Sequence, residues 1–126
     1  MNNIEYTYPL TVPFYLFIGK KPAAVLFGDE RVEVKTWREV YSVIIKRCNE
    51  NPEHHERLMY LRNRTAGKVR VFLSDRPDSM ARPHQIDADM YGEVGYGTAT
   101  LLHILCNRIL TPAGFDYSNI KITLKL

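Results

Sequence analysis

From Thr36 to Cys48 the apolar residues Trp37, Val40, Tyr41, Ile44, Ile45 and Cys48 recur at three- and four-residue intervals, the spacing of one helical face. Thr36-Trp37-Arg38-Glu39 reads as a capping box, with the Thr hydroxyl and the Glu carboxylate each satisfying a free backbone N–H at the helix start. Asn49-Glu50-Asn51-Pro52 stops this helix and starts a second one. Asn51 is suited to the cap, and Pro52 to the first helical position, where no N–H bond is lost. Leu58, Met59 and Leu61 give the second helix a short apolar face, and Gly67 is its expected left-handed stop. A third helix is expected over residues 99–110. Leu101, Leu102, Leu105 and Ile109 form its buried face, flanked by Ile104 and Cys106, so it is expected to be the central helix.

Strand patterns occupy most of the remaining chain. Residues 14–18 are aromatic and branched, and residues 23–27 follow a turn at Gly19-Lys20-Lys21-Pro22. Over residues 31–35, Val32 and Val34 alternate with Arg31, Glu33 and Lys35. Residues 68–74 and 90–94 read as two more strands, and residues 120–126 alternate strictly between Ile or Leu and Lys or Thr. Residues 1–13, with Pro9 and Pro13, form an arm that is either an extended edge or a flexible lead. Residues 75–89 form a proline-marked connection, at ~15 residues longer than a compact domain normally uses. The order β-β-β-α-α-β-β-α-β groups strands and helices instead of alternating them. It predicts an α+β fold with an antiparallel or mixed sheet of about five to six strands and three helices packed mainly on one face. A single domain over residues 14–126 follows the arm.

Length and composition agree with that reading. The 126 residues are 45% hydrophobic and 25% charged, enough for one domain with its own core. No apolar run approaches the ~18 residues that span a bilayer, and no secretory leader pattern is present. The expectation is therefore a cytoplasmic protein with no membrane partner. Cys48 and Cys106 both fall inside apolar helical patterns and are expected to be reduced, buried thiols.

Charge adds what the periodicity does not. Residues 1–56 hold seven Lys/Arg and eight Asp/Glu, and residues 85–126 hold three and four, so each part is −1. Residues 57–84 hold seven Lys/Arg against two Asp, or +5. Arg57, Arg62, Arg64, Lys68, Arg70, Arg76 and Arg82 are therefore the candidate contacts to phosphate or nucleic acid, because Arg presents a donor fork that matches phosphate oxygens. Tyr60, Phe72 and His84 lie among them and are suited to stacking on bases. The competing reading is a solvated surface neutralised by acidic neighbours, with Arg62 and Arg64 serving a helix C-terminus.

Three further features carry weaker chemistry. Gly92-Glu93-Val94-Gly95-Tyr96-Gly97-Thr98 joins a strand to a helix, making Gly95, Gly97 and Thr98 a candidate anion-binding turn. It lacks the Lys-Ser/Thr ending of a P-loop, and the plain alternative is a tight turn with Thr98 as helix cap. Asp29, Glu33 and Lys35 superficially resemble the metal-binding set of restriction-type nucleases, but Asp29 stands too close to Glu33 for two neighbouring strands. His54 and His55 are adjacent and point about 100° apart on a helix, so they do not share a metal as an i, i+4 pair would. His103 and Asn107 fall on the polar stripe of the third helix. No catalytic residue, metal or cofactor is assigned.

The stretches Val32-Glu33-Val34-Lys35-Thr36-Trp37, residues 68–74 with the Arg-Pro loop after them, and Tyr91-Gly92-Glu93-Val94 before a helix have a shared character. Together they resemble small, largely uncharacterised domains carried by bacterial mobile-element and restriction-associated proteins. The resemblance spans residues 23–126 and implies a role near DNA, with no functional residues to carry over. The leading expectation is a non-enzymatic binding module contacting nucleic acid, DNA or RNA, through residues 57–84. The alternatives are a protein-interaction or homo-oligomerisation module using the C-terminal strand or the N-terminal arm, and a small metal-dependent nuclease.

Overall fold

A computed structural model describes residues 4–63, 72–78 and 80–125. The fold is α+β, and among the described residues seven strands form two antiparallel sheets instead of the single larger sheet that strand grouping suggested. The first sheet has the order β1-β7-β2-β3, with β1 Glu5–Pro9, β2 Lys21–Phe27, β3 Glu30–Glu33 and β7 Ile120–Lys125. The second has the order β4-β6-β5, with β4 Leu73–Ser74, β5 Pro83–Asp87 and β6 Met90–Glu93. The arm is therefore part of the fold: β1 runs against β7 from Glu5↔Lys125 to Pro9↔Lys121. The same pairing makes the C-terminal strand central, between β1 and β2, so it offers no free edge.

Two segments depart from their expected geometry for visible reasons. Residues 14–18 do not pleat; Phe14–Phe17 is a 3₁₀-helical turn opened by Pro13 at φ −56°. Phe17 alone is buried there, its ring meeting Tyr8 at 6.1 Å and Trp37 at 5.5 Å, while Tyr15 and Ile18 face outward. The expected 75–89 connection contains β5, whose residues Pro83 to Asp87 pair with β6 across a bulge. Period-two patterning is faint in it because Ile86 is its sole buried apolar residue.

Helices α1 (Trp37–Asn49), α2 (Pro52–Leu61) and α3 (Thr98–His103) pack against the sheets. Helix α1 lies against both sheets, through β2 and β5. At its start the Thr36 hydroxyl accepts the Glu39 N–H at 3.2 Å, but the Glu39 carboxylate receives the Thr36 hydroxyl itself, so only half of the box forms. Asn51 caps α2 by accepting the N–H groups of Glu53 and His54 at 2.9 and 3.3 Å. The left-handed stop after α2 is Asn63, φ 63°, not Gly67, which lies outside the described residues. Gly97 takes the cap position of α3, and Thr98 is its first residue, with no side-chain cap.

Beyond α3 the chain continues as a π-helical segment, Ile104–Leu110. The Thr111 N–H and hydroxyl both donate to the Cys106 carbonyl, at 3.0 and 2.7 Å, which fixes the five-residue reach. Ile104, Leu105, Cys106, Ile109 and Leu110 are all buried in this segment.

The contact that joins α1 to the second sheet is Tyr41 over Gly92. A Cβ built on Gly92 would stand 2.5 Å from the Tyr41 ring and 2.9 Å from Ile86 Cδ1. Gly92→Ala is therefore expected to destabilise the fold by about 1–3 kcal/mol through overpacking, read from urea denaturation. Loss of the same magnitude should be absent in Tyr41→Phe, whose hydroxyl makes only a long 3.5 Å bond to the Phe72 carbonyl.

Candidate binding surface around a buried carboxylate

Glu93 ends β6 with 0% of its surface exposed. A carboxylate taken out of water is costly unless hydrogen bonds replace hydration. Here the Ala81 N–H donates to Oε1 at 2.7 Å, and the N–H groups of Arg82 and Gly95 donate to Oε2 at 3.0 and 2.9 Å. On the backbone side, Glu93 N–H donates to the Phe72 carbonyl at 3.0 Å and Val94 N–H to the Arg82 carbonyl at 3.0 Å. One acidic side chain thus ties together the loop that ends in Arg82 and the turn at Gly95. The N–H of Gly95 does hold an anion, and that anion is the protein's own Glu93. Gly97 and Thr98 stand at the α3 start beside it.

A cationic rim surrounds this junction. Arg82 is exposed, and His84 follows it two positions on along β5, on the same side of the strand. The His84 imidazole is pushed below its ordinary range first by partial burial and then by the charge of Arg38 from the first turn of α1, with Glu39 opposing. Across the same end of the sheet, the Arg108 guanidinium lies 5.6 Å from the Phe72 ring centre, and Tyr96 meets Phe72 edge-on at 6.0 Å. Among the described residues neither Arg38 nor Arg82 enters an ion pair. Sequence reasoning missed Arg38 and Arg108 because each sits in a part of the chain with net charge −1. Only the packing of α1 on β5 and the approach of Arg108 to Phe72 reveal them.

The other basic candidates go elsewhere. Arg64, Lys68 and Arg70 lie outside the described residues. Arg62 donates to the Asp89 carbonyl at 2.9 Å and pairs with its carboxylate at 3.5 Å. Arg76 stands 4.0 Å from Asp75, whose carboxyl is held below its usual range mainly by the Asn63 amide, with Arg62 and Arg76 assisting. Arg57 donates to the Ala113 carbonyl at 3.3 Å and lines a groove of ≈ 520 Å³ with Glu53, Glu56, Tyr60, Leu61 and Pro112. Of the seven, Arg82 joins the rim, while Arg62 and Arg76 meet around Asp75.

The remaining chemistry resolves into local roles. Glu33 bonds Arg31 at 2.6 Å, which holds its carboxyl low, while Asp29 and Lys35 are exposed in the turns at either end of β3. Arg31 also reaches Glu5 on the far edge of the sheet at 3.2 Å, and Thr7 and Thr123 pair their hydroxyls at 3.0 Å. The His54 ring packs on Phe115 at 5.3 Å, and His55 bonds Asn49, which in turn donates to Asp87 at 3.0 Å. His103 pairs with Asn107 at 3.0 Å. Burial pushes both cysteine thiols up to about 12, so they are protonated at neutral pH. No group of three or more His, Cys, Asp or Glu among the described residues is arranged to hold a metal ion. No helix among them is long and apolar enough to cross a membrane.

Comparison of the chain with protein-family models, curated proteins and solved structures finds no match.

Replacing Glu93 with Ala leaves three backbone donors without their acceptor, and an expected loss of at least about 3 kcal/mol follows, measured by urea denaturation. The depressed His84 gives a second expectation. Its folded form binds protons less readily than the unfolded chain, so its contribution is full above the ordinary histidine range and is lost as the pH falls through its folded value. Thermal midpoints should drop between neutral and mildly acidic pH, and His84→Gln should flatten that drop.

Proposed function

We propose that this protein is a non-enzymatic binding module for a polyanion, a nucleic-acid strand, held at the end of the second sheet. The observation that carries the reading is the junction made by Glu93. It fixes Arg82 beside the turn at Gly95, and Arg38, His84 and Arg108 border the same end of the sheet. Arginine forks suit phosphate oxygens, and a rigid backbone beneath them reduces the entropy lost on binding. Tyr96, half-buried beside Phe72, adds an aromatic edge at the same place. The resemblance to mobile-element and restriction-associated domains points the same way.

With three arginines contacting phosphates, affinity for a labelled single-stranded oligonucleotide should fall with salt on a log–log slope of about −2. As the pH drops below the ordinary histidine range, His84 gains its proton and the slope should steepen to about −3. Arg82→Ala and Arg38→Ala should each weaken binding by roughly fivefold, about 1 kcal/mol, while Arg57→Ala should leave it unchanged. Fluorescence anisotropy across a salt series decides; salt-independent binding, or equal losses in all three variants, contradicts the reading.

A further inference from the structure

The two edges of the first sheet are built differently. On β3 three of the four residues, Glu30, Arg31 and Glu33, are charged, which blunts that edge against pairing. On β1, Glu5–Pro9, the sequence is Glu-Tyr-Thr-Tyr-Pro, and its one charge is already neutralised by Arg31. Which backbone groups β1 leaves open follows from its register. Leu10 donates its N–H to the Ile120 carbonyl at 2.9 Å, and inward-facing residues alternate along an antiparallel pair. Tyr8 and Tyr6, opposite Ile122 and Leu124, therefore point their backbone groups at β7. Glu5, Thr7 and Pro9 point theirs outward. The Pro9 carbonyl is taken by the Val12 N–H at 3.2 Å and proline has no N–H, so the open edge ends there. What remains is the N–H and carbonyl pair of Glu5 and of Thr7, with no hydrogen bond to them among the described residues.

We infer that β1 pairs with β1 of a second copy of this chain, antiparallel about a two-fold axis at Tyr6. In that register Glu5 faces the partner's Thr7 and Thr7 the partner's Glu5, so each outward N–H meets an outward carbonyl. Tyr6 faces the partner's Tyr6 at the position where antiparallel side chains approach most closely. Ile4 faces the partner's Tyr8. Ile4 and Tyr6 are 56% and 43% exposed in the single chain, although they lie on the same side of the strand as buried Leu10, and pairing would cover them. Tyr15 and Ile18, in and just after the 3₁₀ turn whose Phe17 packs on Tyr8, are also exposed. No like charges stand opposite one another, and the edge is complementary to itself. That self-complementarity is the property an isologous interface requires, and the covering of Ile4 and Tyr6 favours it.

Sedimentation equilibrium on the full chain tests this. A monomer–dimer equilibrium is expected at micromolar concentration. Thr7→Pro deletes an outward N–H and keeps the backbone bonds to β7, although it also removes the 3.0 Å Thr7–Thr123 hydroxyl bond, and Tyr6→Lys places like charges on the axis. Each should raise the dimer dissociation constant at least roughly tenfold. Circular dichroism and the thermal midpoint of dilute protein confirm that each variant is folded; should Thr7→Pro fail to fold, Tyr6→Lys alone decides. A chain that stays monomeric at its highest soluble concentration, an assembly larger than a dimer, or a dimer that Tyr6→Lys leaves intact overturns the inference.

Discussion

The second sheet and the surface beside it depend on where one negative charge is put. Glu93 is fully buried, and its two oxygens are satisfied by three backbone N–H groups drawn from the loop before β5 and the turn after β6. A buried carboxylate without such donors would be driven to take up a proton or to pull the fold open. With them it becomes a bracket. The strand β4 has only two residues, Leu73 and Ser74, and gives little holding power by itself. The Glu93 bonds to the loop and the Glu93 N–H bond to Phe72 make up for that shortness, and they keep Arg82 and the turn at Gly95 in fixed relation.

The second constraint is steric. Helix α1 lies against both sheets, and Tyr41 reaches the second sheet where Gly92 leaves room for it. Burial pushes the Tyr41 phenol far above its ordinary range, so it stays neutral and acts as packing. Because α1 is held this way, its first turn carries Arg38 up to His84 on β5. The cationic rim is thus a consequence of core packing, and the residues that form it come from α1, the loop before β5, β5 itself and the π-helical segment instead of from one stretch of sequence.

That origin explains what the sequence disclosed and what it hid. Residues whose role is set by their immediate neighbours were legible: the apolar stripe of α1, Asn51 and Pro52 at the start of α2, the alternation of β7, and the two buried cysteines. The two sheets were not, because strand grouping counts strands without saying which pair. The 3₁₀ turn after Pro13 read as a strand because aromatic content alone does not separate a pleat from a tight turn. β5 was taken for loop because it has one buried apolar residue. The charge excess of residues 57–84 grouped Arg82, which lies at the end of the second sheet, with Arg57 and Arg62, whose partners Ala113 and Asp89 are distant in sequence. Glu93 looked like one residue of a glycine-rich turn; nothing local marks it as the anion that the turn was built around.

Amide hydrogen exchange at Ala81, Arg82 and Gly95 tests the central claim most directly. Two of these amides lie in a loop and one in a turn, places where exchange is ordinarily fast. If Glu93 holds them, all three are protected to a similar degree and lose that protection together in Glu93→Ala, which keeps no acceptor. Exchange at the rate of open loops in the unaltered protein, or protection that survives the substitution, would contradict the account.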